Sequence, residues 1–218
     1  MNNSYNFLAG QSVERLAVLS DGIFGVAMTL LLLELHAPDT ASVRPGSEWD
    51  LWHAIVGNGA ALAVYLMSFI TLGIFWIGQQ TQLNNLARSD RNLTWLHLAF
   101  LFPVTILPFS TRLLTAFVTY RVALLVYWFN IFLLGASLYA CWKYTEAAGL
   151  VDPDVPGHVT GTVCRRIVTS QTWYAAGAAL CLLPISTYWS IAFIITVQLN
   201  YAFAPRDWFA RKKPAVAS

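Results

Sequence analysis

Charge is what this chain has least of. Asp, Glu, Lys and Arg make up 11% of its 218 residues, against about 25% in an ordinary soluble domain. Hydrophobic residues reach 57% and the mean hydropathy is +0.55, which excludes a water-soluble globular protein and points to an integral membrane protein. A net charge of +2, with the positives at span ends instead of in a patch, gives no nucleic-acid partner. The longest interior polar stretch, residues 146–166, is far shorter than the roughly 50 residues a folded domain needs. Cysteine is scarce too: Cys141, Cys164 and Cys181 are odd in number, lack metal-ligand spacing and read as apolar packing residues. No HExxH or comparable spacing occurs, so neither metal nor cofactor is expected. Ser110, Thr111 and Ser186 have no histidine or acid at motif spacing, so nothing supports an enzyme. The first fourteen residues carry no basic n-region, and the first apolar run is expected to stay in the mature chain.

What is present is a series of apolar runs. They predict six transmembrane helices in one domain over residues 1–218, at about 15–35, 51–80, 93–114, 122–144, 167–183 and 188–203. Prolines punctuate them: Pro38 ends the first, Pro103 and Pro108 kink the third, and Pro184 separates the fifth from the sixth. The second is longer than the hydrocarbon core requires, which implies tilt or protrusion. Of the 13 Lys and Arg, only Arg44, Arg112 and Arg121 fall on one side. The remaining ones, from Arg15 to Lys213, share the other side, so both termini are expected in the cytoplasm. Nothing in the later helices repeats the first, which counts against an inverted-repeat transporter. Trp49, Trp52, Trp76, Trp128, Trp142 and Trp208 lie near span ends and fit interfacial belts.

The chemistry concentrates in the first span, RLAVLSDGIFGVAMTLLLLEL, residues 15–35. Gly22, Val26, Thr29 or Leu30, and Leu33 share one helical stripe, and Asp21 lies on another with Gly25, Met28 and Leu32. Set around an axis with other copies, the first stripe would form apolar rings with one hydroxyl layer, able to gate by dewetting. Periodicity by itself equally describes an ordinary packed stripe, and that is its commoner meaning. An aspartate in lipid needs a partner. The candidates are Arg15, Trp76, Gln79, Gln80, Asn92, Trp95 and His97, in a fixed network that sets how helices meet, or alternatively a proton relay. Glu34 sits at the far end of the span, facing the external mouth or simply hydrated. His97, within the third span, reads as a hydrogen-bonded core residue.

These residues resemble the transmembrane protein 175 family of potassium channels. The match runs through Arg15, Leu19-Ser20-Asp21 and Thr29 to Glu34 in the first span, Phe75-Trp76 in the second, and Asn92, Trp95 and LPFST (Leu107–Thr111) in the third. It covers about the first half of the chain, whereas helices 4 to 6 agree only in number and hydrophobicity. The resemblance implies an all-α channel in which four six-helix subunits surround one axis lined by helix 1. It implies a constriction at Val26, Leu30 and Leu33, selectivity linked to Thr29, and an interhelical network of Arg15, Ser20 and Asp21 with Trp76, Gln79, Asn92, Trp95 and His97. The TVGYG filter of other potassium channels is absent here. Leu19 replaces the family's Phe, Gln79 and Gln80 stand where a histidine often follows Phe-Trp, and Val26 replaces a bulkier aliphatic residue. The expected molecule is a passive homotetrameric channel of the plasma membrane, with potassium and other monovalent cations, lipid and its own copies as partners. The rival expectations are a proton-coupled transporter using Asp21 and His97 and a non-conducting membrane scaffold.

Overall fold

Long runs of leucine, valine and phenylalanine have few solutions in lipid, because every backbone N–H and C=O must be satisfied within the protein. The α-helix does this inside one segment. A computed structural model describes residues 12–33, 35, 37, 46–183 and 186–203. Within them seven helices follow in order: α1 Val13–Leu33, α2 Glu48–Gly57, α3 Gly59–Leu83, α4 Arg91–Ala116, α5 Arg121–Ala147, α6 Gly157–Leu180 and α7 Thr187–Phe203. Four of these, α1, α3, α4 and α5, are long and apolar enough to cross a bilayer.

Two helices depart from the hydropathy reading. The second span, expected as one helix over 51–80, is divided at Asn58 into α2 and α3. The run Gly57-Asn58-Gly59 joins three weak helix formers, yet the break is slight. Asn58 N–H reaches Ile55 O at 3.1 Å, and its own carbonyl accepts from Leu62 N at 3.1 Å. The fifth span, expected over 167–183, begins at Gly157 directly after Pro156, in residues that read as loop. Two glycines and β-branched residues disguise that start, and packing along α5 supplies what propensity does not.

In chain order α1, α3, α4 and α5 alternate in direction, which sets α1 and α4 side by side and parallel. At one end, the start of α1 meets the end of α3 and the start of α4 through side-chain hydrogen bonds. There Asp90 caps α4, accepting from Leu93 N at 2.8 Å and from Tyr144 Oη of α5 at 2.6 Å. The α3–α4 and α5–α6 connections pair through an antiparallel bridge between Leu86 and Val151. Gly149 turns the chain there at φ 63. At the other end, Arg121 donates to Leu183 O and Thr187 to Val118 O.

α4 is the hub, touching α1, α3 and α5, with Phe100, Val104, Leu107 and Leu114 fully buried. A polar layer crosses this apolar interior. Thr111 Oγ1 of α4 lies 2.8 Å from Ser68 Oγ of α3. Tyr127 Oη of α5 lies 3.2 Å from Ser68 and 3.3 Å from Thr71, and Gln198 Nε2 of α7 donates to Thr71 Oγ1 at 2.7 Å. Four helices are thereby held in register, since a slip would leave several buried polar groups unpaired.

α6 and α7 approach closely at Gly177, where an added Cβ would stand 2.7 Å from Ile194 Cγ1 and 3.0 Å from Phe193 Cδ1. Gly177→Val is expected to wedge the pair apart and cost about 1–3 kcal/mol, the usual range for overpacking. Thermal unfolding in detergent checks this; an unchanged midpoint would mean the helices separate freely.

Candidate functional site

α1 buries Leu16, Ser20, Phe24, Ala27 and Leu31, a single stripe at spacings of four, four, three and four. At about 100° per residue, Val18, Gly22, Gly25, Thr29 and Leu33 lie opposite it and are exposed. Leu33 is 71% exposed, Val26 58% and Leu30 42%. Val26 and Leu30 turn toward α4, where they line an apolar groove with Leu19, Ile23 and Thr105. Thr29 Oγ1 donates to Val26 O at 2.8 Å. Its one proton is thus engaged, and what remains on the open side is a pair of oxygen lone pairs, useful to a cation and not to an anion.

The polar residues at the base of α1 form two sets, not one. Ser20 is fully buried. Its Oγ lies 2.6 Å from His97 Nε2, accepts from Gln79 Nε2 at 3.0 Å and donates to Leu16 O at 2.8 Å. With the proton on His97 Nε2 the hydroxyl accepts twice and donates once, so all its capacity is used. Asp21 stands one residue on, at the surface and toward α3. Its Oδ1 accepts from Trp76 Nε1 at 2.8 Å and Gln80 Nε2 at 2.7 Å.

The other residues considered as partners for Asp21 lie elsewhere. Asn92 donates to Tyr144 Oη at 3.1 Å, within the Asp90 cap. Trp95 is 62% exposed. Arg15 is exposed, with its backbone N–H on Ser12 Oγ. Among the described residues, none of the three is hydrogen-bonded to Asp21 or Ser20. Glu34 lies outside the described residues. Sequence reasoning missed Thr105 beside the α1 stripe and the Ser68–Thr71–Tyr127 layer. The i, i+3 pair of hydroxyl residues in α3 was the available signal.

Residues 15–108, α1 through most of α4, match the family described as the endosomal/lysosomal potassium channel TMEM175. Over 179 residues the chain is 32% identical to a potassium channel of Streptomyces collinus, covering 79% of this chain and 84% of that protein. The chain belongs to the TMEM175 family. TMEM175 proteins are ion channels and not a class of enzymes. The family includes the endosomal/lysosomal proton channel TMEM175 of Bos taurus, 28% identical over 109 residues, 49% of this chain and 23% of that one. The fold agrees with the crystal structure of a lysosomal potassium-selective channel TMEM175 homolog from Chamaesiphon minutus. The TM-score is 0.74 at 22% identity, over 89% of this chain and 98% of that one.

Proposed function

We propose that this TMEM175 protein is a homotetrameric cation channel, modestly selective for potassium over sodium, that conducts passively along an axis lined by α1. The observation that carries the reading is the exposed α1 stripe, apolar except for Thr29. A lone subunit leaves Val26, Leu30 and Leu33 uncovered, and convergence of several copies turns them into stacked apolar rings around a hydroxyl layer. Residues 1–218 act as one channel domain with six crossings, α6 and α7 supplying the fifth and sixth, in the plasma membrane with both termini cytoplasmic. The relatives named potassium channels support the choice of ion.

Flux in proteoliposomes tests the reading. A potassium gradient is expected to drive an electrical current without any proton gradient. Strict dependence on protons would favour a coupled transporter using Asp21 and His97, and flux no greater than in empty liposomes would favour a scaffold.

In this reading Asp21, with Trp76 and Gln80, orients α1 against α3 and does not itself select ions. Asp21→Asn keeps an acceptor but loses the charge that roughly doubles such hydrogen bonds. About 1 kcal/mol is lost in each subunit, so tetramer survival in detergent is expected to fall while the potassium-to-sodium permeability ratio holds. A stable tetramer with altered ion preference would reverse that role.

A further inference from the structure

α4 carries Pro103 and Pro108 in its interior. Neither offers an N–H, so the Ala99 and Val104 carbonyls lose their helical donors, and the Pro108 ring also presses on the turn before it. Between these gaps lies Leu107 N–H, whose ordinary acceptor is the Pro103 carbonyl. Here α5 inserts Asn130, 3% exposed. Assigned by its hydrogen-bond partners, its amide places Nδ2 toward Pro103 O at 3.2 Å and Oδ1 toward Leu107 N and Ser110 Oγ, each at 3.2 Å. This orientation matches donor to acceptor at all three contacts, whereas the reverse would set carbonyl against carbonyl. One side chain therefore bonds to both Pro103 O and Leu107 N–H, the acceptor and donor of a single helical rung.

We infer that Asn130 is a positioning residue for the pore, a side-chain rung that holds α4 at one bend and so sets the line of α1. The inference rests on α1 lining the pore. Below the bend α4 grips α1 through the His97–Ser20 contact and through Phe100, whose ring lies 6.1 Å from that of Phe24. At the bend, Thr105 shares a groove with Val26 and Leu30. Above it, Thr111 is tied to Ser68 on α3. A change in the bend moves Thr105 against Val26 and Leu30 while the base of α1 stays held. An amide is suited to this task because it presents a donor and an acceptor side by side without burying a charge.

The test is a cycle of Asn130→Leu and Pro108→Ala in the full-length protein, read by hydrogen exchange and by conductance. Asn130→Leu is expected to speed amide exchange across residues 104–111 about tenfold, the equivalent of one lost hydrogen bond, and to shift the permeability ratio or unitary conductance by about twofold or more. In the Pro108→Ala background the same change is expected to do little. There the backbone N–H restored at position 108 can reach Val104 O, so the turn is held by the backbone without the amide. Equal acceleration in both backgrounds, or none in either, overturns the clamp. If Asn130→Leu does not fold, recovery of folding by Pro108→Ala supports the clamp, and failure in both backgrounds, repeated with Asn130→Ala, overturns it. Faster exchange with unchanged conduction overturns the positioning role alone. Absence of flux from the unmodified protein defeats the pore reading and leaves the exchange result standing.

Discussion

Leu30→Asn is expected to raise potassium conductance at least about tenfold and to reduce discrimination against sodium. A ring of leucines excludes water from a narrow passage, and an ion must shed hydration to cross it. An amide at the same height offers oxygen to the ion and hydrogen bonds to water, so the passage wets. Lowering the barrier by only about 1.4 kcal/mol gives a factor of ten, and in a ring every subunit contributes. Leu30 is a suitable site because it is exposed and packs in no subunit core, so the substitution perturbs the passage without opening a cavity. Planar-bilayer recording of the purified channel checks this. Unchanged current would remove Leu30 from the constriction and leave Thr29 and Leu33, which lie more directly opposite the buried stripe.

Ser20→Ala is expected to have the largest effect on stability among changes at the base of α1, about 2–5 kcal/mol. The hydroxyl is fully buried between His97 and Gln79. Its loss takes a partner from the His97 ring nitrogen and from the Gln79 amide donor, and a buried polar group left unpaired costs about 1–3 kcal/mol. Asp21, one residue further, is at the surface, and its substitution leaves an acceptor in place. The expected order is therefore Ser20→Ala well above Asp21→Asn in denaturation of the detergent-solubilised protein, although aspartate is the costlier side chain to place in lipid. Equal effects would mean that the two sets of hydrogen bonds act as one.

The polar residues at the base of α1 mark how far the chain could be read unaided. Trp76 and Gln80 as partners of Asp21 were among the residues considered, as were Gln79 and His97. Their division between Ser20 and Asp21 was not readable. Gln79 and Gln80 are adjacent in sequence but about 100° apart on α3, so one reaches the buried hydroxyl and the other the exposed carboxylate. Helical phase sorts residues within a helix and says nothing of how two helices are rotated against each other. Asn92 shows the same limit: it lies near Asp21 in any list of polar residues, yet Tyr144 on α5 takes it into the cap of α4.

Asn130 lies beyond such reasoning altogether, one polar residue in the apolar run of α5. Only the crossing of α5 over the proline-bearing turns of α4 gives it a purpose. The same holds for Tyr127 and Gln198, which meet Thr71 across three helices.

By itself the sequence determined that this is a helical membrane protein and which family it belongs to. These follow from composition, helical period and local motif, all properties of the chain read in one dimension. The tertiary structure alone decided which face of α1 is left uncovered, which donors serve Ser20 and which serve Asp21, and where α4 is held at its prolines. Each of those depends on the rotation and crossing of packed helices, which is set by the sum of many small contacts between residues far apart in the chain.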